Sequence, residues 1–275
     1  MVRMGDIWDR TVEFVGDRLG TILPIAVLAL LVPGAISGAL AEVQKDAAAT
    51  VALAIGVASI GLALVQLWGQ LAIAALAADP ALGGGAARVA TARLLPTIGV
   101  YALVGLALVL LAVPLVAVTV ASGVSVDQLR TGGAATALTP GSAGAIALTG
   151  LVLAVLALFG AARLMVLLPV LAIERRGAGS IARSRRLTRG MSWRLVGVVI
   201  LYAIVVFVAM LAAQTVFGSL LRLLAGGSDD AVSIATVVTA IAVAAVTTGF
   251  TVMANGFMGR LYAALVARDG AVAAP

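Results

Sequence analysis

Arg163 is the residue with the clearest capacity for chemistry, because it lies within an otherwise apolar stretch, Ala145–Ile173. About ten residues separate it from Glu174, which corresponds to about 15 Å of helix. Placing an arginine at the centre of a membrane costs about 2.5–3.5 kcal/mol, and its guanidinium stays protonated and only donates hydrogen bonds. Two interpretations are open: Arg163 binds an anion or a lipid headgroup, or it clamps backbone carbonyls of a neighbouring helix.

Other polar residues occur at a similar depth in the chain's apolar stretches. Every second apolar stretch ends in an acidic residue, namely Asp79, Glu174 or Asp269. When these three ends are aligned, Gln70 and Arg260 fall at the same level, and Arg163 falls within two residues of it. The candidate polar or anion site therefore consists of Arg163, Gln70, Asn255 and Arg260. The alternative is structural, because polar residues near helix ends commonly join membrane helices to one another.

A dense basic segment, Ser180–Arg194, lies between two apolar stretches. Its spacing predicts an amphipathic helix with Ser180 as the N-cap. Such a helix beside a membrane attracts anionic lipid by about 1 kcal/mol per basic residue, and Trp193 is suited to anchor at the interface. The alternatives are that the charge serves only membrane topology or docks a partner. The expected anionic-lipid contacts are Arg183, Arg185, Arg186, Arg189 and Arg194.

The chain has few groups that perform catalysis. It contains no histidine and no cysteine, which removes the commonest general base, the commonest metal ligand and all thiol chemistry. Gly83-Gly84-Gly85 lacks the Lys-Ser/Thr of a phosphate-binding loop, and no nucleophile elbow or dinucleotide motif occurs. Glu174 is expected to pair with Arg175, Arg176 or an arginine of the basic segment. We therefore expect no enzyme activity, no catalytic residue, no metal and no cofactor.

The elements that carry these residues are membrane helices. The chain of 275 residues is 63% hydrophobic and only 11% charged, with a mean hydropathy of +1.18. Long apolar stretches without alternation predict helices of about 20 residues or more, and thus an all-α bundle of six transmembrane helices in one domain, residues 1–275. The expected spans are Thr21–Ala41, Val51–Ala78, Pro96–Ala121, Ala145–Ile173, Arg194–Leu220 and Ile234–Val266.

Amphipathic segments precede the first, third and fifth spans. They are Gly5–Leu19, Ala86–Leu95 and Ser180–Met191, and each is expected to lie along the membrane interface. Together with the equal spacing of Asp79, Glu174 and Asp269, they indicate three repeated hairpins.

The distribution of charge predicts the orientation. Most of the 18 basic residues lie in the N-terminal segment, in the second and fourth connections and after the last span. The positive-inside rule therefore places both termini in the cytoplasm. A signal peptide with its core at Ile22–Val32 is the alternative, but the acidic residues before it argue against cleavage. Because nearly all basic residues are arginine, we expect a GC-rich bacterium and its inner membrane. The net charge of +6 suits anionic phospholipid rather than nucleic acid.

One region resembles a known family. Arg163-Leu164, Pro169 and Glu174, followed by Arg183-Ser184-x-x-Leu187-x-x-Gly190-x-x-Trp193, resemble the bacterial membrane domain attached to some glycerophosphodiester phosphodiesterases. That family also includes stand-alone multi-spanning proteins of unknown role. The resemblance implies the six-span architecture. It implies no activity, since the fused enzymes use a separate soluble barrel with histidines, carboxylates and a divalent metal.

The sequence thus predicts a non-enzymatic membrane scaffold or accessory module that contacts anionic phospholipid. The alternative is a small transporter or channel for an anionic or lipid-derived solute, with a pathway through Arg163, Gln70, Asn255 and Arg260. A transporter needs Arg163 to face a cavity accessible to water, whereas a scaffold needs it packed against protein. A membrane-embedded hydrolase is the least favoured class. No feature of the sequence identifies a protein partner.

Overall fold

The computed structural model describes residues 3–45, 47–123, 139–174, 176–224 and 234–273, without the side chains of 45, 217–224, 234–236 and 271–273. Within these ranges every regular element is a helix. The helices are α1 (Met4–Asp17), α2 (Leu19–Ala26), α3 (Val32–Lys45), α4 (Ala49–Ala78), α5 (Ala86–Ala121), α6 (Pro140–Leu164), α7 (Leu167–Ile173), α8 (Gly179–Leu187), α9 (Ser192–Leu224) and α10 (Ile234–Ala273). A π-helical turn, Val27–Leu31, joins α2 to α3, and a 3₁₀ helix, Pro80–Gly85, precedes α5.

Six helical segments are long and apolar enough to cross a membrane, which confirms the predicted all-α, multi-pass class. Their bounds lie close to the predicted spans, and the largest difference is at the start of the third. Arg175, one of the partners expected for Glu174, lies outside the described residues, as do 124–138 and 225–233 in the connections between spans. The segments are Leu19–Gln44, Ala49–Ala78, Pro80–Ala121, Pro140–Ile173, Ser192–Val216 and Val237–Gly270.

The third span differs from its prediction because it has no separate lead-in helix. Ala86–Leu95 is helical, but α5 continues without a break through Pro96 and Pro114. The hydroxyl of Thr97 donates to the Arg93 carbonyl at 2.7 Å, inside this continuous helix.

The fourth span is broken rather than continuous. α6 ends at Leu164, α7 begins at Leu167, and Val166 leaves the helical conformation with φ −96° and ψ 13°. Pro169 accounts for the position of this break, because its ring collides with the carbonyl four residues earlier and it has no N–H to donate. The short helix α7 is buried over Leu167–Ala172.

Small residues allow α10 to pack closely at the centre of the bundle, against α3, α4 and α9. A Cβ on Gly259 would lie 2.5 Å from the Ala77 Cβ and 2.8 Å from the Ala74 carbonyl oxygen. Further along α10, Gly38 of α3 packs against Ala240. Small residues at such crossings let membrane helices gain dispersion contacts along their backbones.

The lead-in helix α1 is amphipathic, and one side of it packs against the bundle. Ile7, Thr11 and Phe14 are buried on that side, and α1 contacts α10. Trp8 and Val12 stay about half exposed. α1 therefore presents apolar side chains both to the bundle and to its surroundings, as a helix at a membrane interface does.

The lead-in helix α8 has a similar division. Ser180, Ser184 and Leu187 are buried, whereas most of its arginines face outward. Ser180 is not the N-cap that the sequence predicts, because the turn at Gly177, with φ +52°, starts the helix earlier and leaves Ala178 at the cap position.

Substitution of Gly259 tests the central crossing. Gly259→Leu should lower the free energy of unfolding by about 1–3 kcal/mol or more, because the side chain would overlap the backbone of α4. Gly249→Leu on the same helix is the control, since a Cβ at Gly249 meets no atom within 4 Å. Thermal unfolding in detergent measures both, and equal midpoints would contradict the crossing.

Candidate functional site

The polar residues of the bundle concentrate where α1, α7 and α8 meet the C-terminal parts of α4 and α10, which we call the basic end. α7 packs against α4, α5, α8 and α10, so the broken span places its last helix at the centre of this end. An apolar cluster that includes Val170, Leu187, Leu195 and Leu261 lies beneath it. The basic end is thus a packed part of the bundle.

Arg183 joins three helices at the basic end. Its Nε donates to Glu174 Oε1 at 3.0 Å, and one terminal nitrogen donates to Asp269 Oδ2 at 2.6 Å. The side chain of Arg183 is only 11% exposed and that of Glu174 is 15% exposed. A guanidinium that binds two carboxylates in this way makes charge-assisted hydrogen bonds, which are the strong ones in proteins. Arg183 therefore holds α8 against the ends of α7 and α10.

Three other side chains complete this network. Tyr262 donates its hydroxyl to Glu174 Oε1 at 3.1 Å. Arg176 Nε lies 2.9 Å from Glu174 Oε2 and is largely exposed. Arg186 reaches Asp269 at 3.5 Å with a side chain that is 63% exposed. The predicted pairing of Glu174 with Arg176 and with an arginine of the basic segment is confirmed.

The electrostatics of the network keep Arg183 charged. Burial lowers the pKa of Arg183, but the hydrogen bonds to Asp269 and Glu174 outweigh it and hold that pKa above its usual value. The network is therefore a fixed arrangement of opposite charges. Its carboxylates serve as acceptors for Arg183, which suits a structural role better than proton transfer.

Arg163 lies at the end of α6, and its side chain is exposed. Its backbone carbonyl oxygen accepts two hydrogen bonds from the segment that follows, one from Ser184 Oγ at 2.9 Å and one from Thr188 Oγ1 at 3.3 Å. The helix break leaves the last carbonyls of α6 without intrahelical partners, and the hydroxyls of α8 satisfy this one. The sequence predicted a clamp made by the Arg163 guanidinium, whereas the contact between α6 and α8 is made by the Arg163 backbone carbonyl and the two hydroxyls.

The other three members of the candidate anion site lie in separate surroundings. Arg260 stacks on the Phe14 ring of α1, with 4.7 Å between its guanidinium carbon and the ring centroid. Asn255 is buried and donates to the Thr251 carbonyl of its own helix at 2.8 Å. Gln70 is half-buried on α4. Among the described residues, no hydrogen bond joins Arg163 to any of these three side chains.

The arginines predicted to contact lipid divide into two groups. Arg183 turns inward, and Arg186 faces out but reaches Asp269. Arg185, Arg189 and Arg194 are exposed, and within the described part of the chain no acidic side chain lies within ion-pair distance of them. Trp193 is 76% exposed and packs edge-on against Phe159 at 4.9 Å. The exposed side of the basic segment is therefore cationic with an aromatic residue beside it.

Sequence reasoning missed Tyr262 and Asp269 as partners in the network. The equal spacing of Glu174 and Asp269 was the available signal, since it placed two carboxylates at the same level. No group of three acidic side chains that could hold a metal ion occurs in the described ranges. Comparison with protein-family models, with characterised proteins and with solved structures gives no match. The resemblance to the glycerophosphodiester phosphodiesterase membrane domain therefore stays a prediction.

Removing the central cation tests the network. Arg183→Gln should lower the free energy of unfolding by about 2 kcal/mol, because two charge-assisted hydrogen bonds are lost and the largely buried Glu174 loses its buried cation. Arg183→Lys should recover only part of this loss, since an ammonium cannot present the guanidinium fork to both acceptors. Arg186→Gln is the control and should change stability by less than about 1 kcal/mol, as an exposed pair does. Chemical denaturation in micelles measures each variant, and equal effects at 183 and 186 would refute the assignment.

Proposed function

We propose that this protein is a non-enzymatic membrane module that recruits anionic phospholipid to its basic end. One observation carries the proposal. Within the basic segment Arg183 is paired with carboxylates of the protein, whereas Arg185, Arg189 and Arg194 are exposed and have no acidic partner among the described residues. Arginines that the fold does not neutralise are available to phosphate groups, which they bind through paired hydrogen bonds. Trp193 gives the same surface an anchor at the headgroup level.

The alternative role, transport of a soluble anion, has less support. Such a pathway needs cations that converge on one solvated site, whereas Arg163 is exposed beside α8 and Arg260 lies on Phe14. The two carboxylates at the basic end are bound by Arg183, so general acid–base catalysis also has no favoured candidate there. We therefore propose lipid contact without transport or catalysis.

The proposed orientation places the basic end in the cytoplasm of a bacterium, at the inner membrane, with both termini on that side. Because the chain has no cysteine, single cysteines report accessibility without background. Gly141→Cys, at the start of α6, should react with a membrane-impermeant maleimide in intact cells. Ala182→Cys on α8 should react only after permeabilisation, and both positions are exposed. The reverse pattern would overturn the orientation.

Lipid counting tests the function itself. The full-length protein is equilibrated with mixed phosphatidylglycerol and phosphatidylcholine, and bound lipids are counted by native mass spectrometry. Arg185→Gln/Arg189→Gln/Arg194→Gln should weaken binding of the anionic lipid by about tenfold or more, given about 1 kcal/mol per arginine. Binding to the unmodified protein should also fall as salt rises.

The matched control removes the same charge elsewhere. Lys45→Gln/Arg130→Gln/Arg222→Gln takes three charges from the connections that the sequence assigns to the opposite side. This variant should retain its preference for the anionic lipid. Equal losses in the two triple variants would show that only net charge matters and would refute a lipid surface on the basic segment.

A further inference from the structure

A large apolar cleft lies between the α5–α6 hairpin and the α9–α10 hairpin. Its volume is about 1230 Å³, and no charged side chain lines it. α5 packs mainly against α4, α6 and α7, and the cleft occupies the gap that this arrangement leaves beside α9 and α10. The cleft exceeds the roughly 300–1,000 Å³ of pockets for drug-sized ligands. A large apolar occupant therefore fits it, and a soluble anion does not.

The height of the cleft distinguishes between apolar occupants. On α5 its lining runs from Tyr101 to Leu111, and on α6 from Leu156 to Leu164. These stretches correspond to about 12–15 Å of helix, which is half of a hydrocarbon core of about 30 Å. A partner helix that crosses the membrane would need the full thickness. An acyl chain reaches only to the midplane, so the cleft matches one leaflet.

The residues at one end of the cleft show which leaflet this is. Trp8 of α1, Leu168 of α7 and Ile181 of α8 line it, so it reaches the basic end of the bundle. The hydroxyl of Tyr202, on the cleft wall, donates to the Phe250 carbonyl at 2.9 Å. Because the Tyr202 hydroxyl has its hydrogen-bond partner within the protein, it does not add an unpaired polar group to the lining of the cleft.

The backbones of two arginines, Arg163 and Arg185, come close to each other beside this end of the cleft. The Thr188 hydroxyl is 3.3 Å from the Arg163 carbonyl oxygen and 3.4 Å from that of Arg185, so the two backbones are neighbours. Both side chains are exposed, and neither forms an ion pair within the described ranges. Arg163 directly precedes Leu164 and lies two residues after Ala161, and both of these residues line the cleft. Arg185 follows Ile181, another lining residue, by one helical turn.

We propose that the cleft binds the acyl chains of one anionic phospholipid, whose phosphate is held by Arg163 and Arg185. This inference rests on the proposed function, because it assigns one lipid of the basic surface to a defined site. It gives Arg163 the headgroup role that the sequence left open. It also explains how an arginine at the end of an apolar helix is compensated, since a phosphate supplies the acceptors that arginine requires.

Quenching of Trp8 fluorescence by brominated acyl chains tests the site. Trp68→Phe/Trp193→Phe leaves Trp8 as the sole tryptophan of the three in the chain. In phosphatidylcholine nanodiscs, brominated phosphatidylglycerol should quench Trp8 at about a tenth of the mole fraction that brominated phosphatidylcholine requires. Arg163→Gln/Arg185→Gln should remove this difference. Equal quenching by the two lipids in the starting protein would overturn the proposal.

Filling the cleft provides a second measurement. Gly160→Phe and Ala107→Phe add bulk to two lining positions, and a Cβ at Gly160 meets no atom within 4 Å. Each substitution should reduce the quenching of Trp8 by brominated phosphatidylglycerol. Gly144→Phe, on the same helix but away from the cleft and also unobstructed, should leave it unchanged. Circular dichroism and gel filtration establish that each variant folds, and either filling variant is sufficient.

The two proposals fail in different ways. If the filling variants quench like the starting protein while the Arg185/Arg189/Arg194 variant loses bound lipid, the cleft site is wrong and the surface proposal stands. If the filling variants lose quenching but the triple variant retains its lipid count and preference, the proposed function of the basic surface is wrong. An apolar site for acyl chains would then remain without a headgroup contribution from Arg185.

Discussion

The break between α6 and α7 is the constraint on which the basic end depends. It lies just before Pro169, which has no N–H to donate and whose ring crowds the carbonyl four residues earlier, whereas α5 accommodates Pro96 and Pro114 in one continuous helix. The break releases the Arg163 carbonyl, which Ser184 and Thr188 then bind. It also sends α7 into the centre of the bundle, where Glu174 meets Arg183. The docking of α8 and the burial of its central arginine thus follow from one backbone restriction.

The basic segment holds one arginine that the fold uses and, in the function proposed above, others that bind lipid phosphate. One face of α8 is buried with Ser184 and Leu187, and Arg183 bridges two carboxylates next to it. Arg185 on the other face, and Arg189 just after the helix, are exposed. Arginine suits both roles, because the same planar fork binds carboxylates inside a protein and phosphates outside it. The buried pair orients the helix, and the helix orients the exposed cations.

The sequence predicted the helices better than the directions of their side chains. Spans follow from the length and hydropathy of each stretch, which is a local property, and the structure confirms six of them. The pairing of Glu174 was also predictable, because opposite charges lay within one short segment. The exposure of Arg163 was not, since it depends on the break at Val166 and on which side of α6 then faces α8. The cleft arises from the relative positions of two hairpins, which no local pattern encodes.

The face that α1 buries shows the same limit. Helical spacing identified an amphipathic segment, but Trp8 and Val12 are as apolar as the residues that pack inward. What selects Ile7, Thr11 and Phe14 is the surface of α10, where Gly256 leaves room for Thr11 and Arg260 provides a cation for the Phe14 ring. A helix with two apolar faces needs its partner before its orientation is determined.

The crossing at Gly259 has a consequence for the order in which the protein assembles. It joins the second membrane span to the last, and Ala74 and Ala77, which lie against Gly259, are fully buried in the finished bundle. During synthesis α4 enters the membrane long before α10 exists, so this surface first faces lipid. Membrane helices are stable individually and associate afterwards. The hairpin made first therefore stays incomplete until the final helix is inserted, and the centre of the bundle is the last part to close.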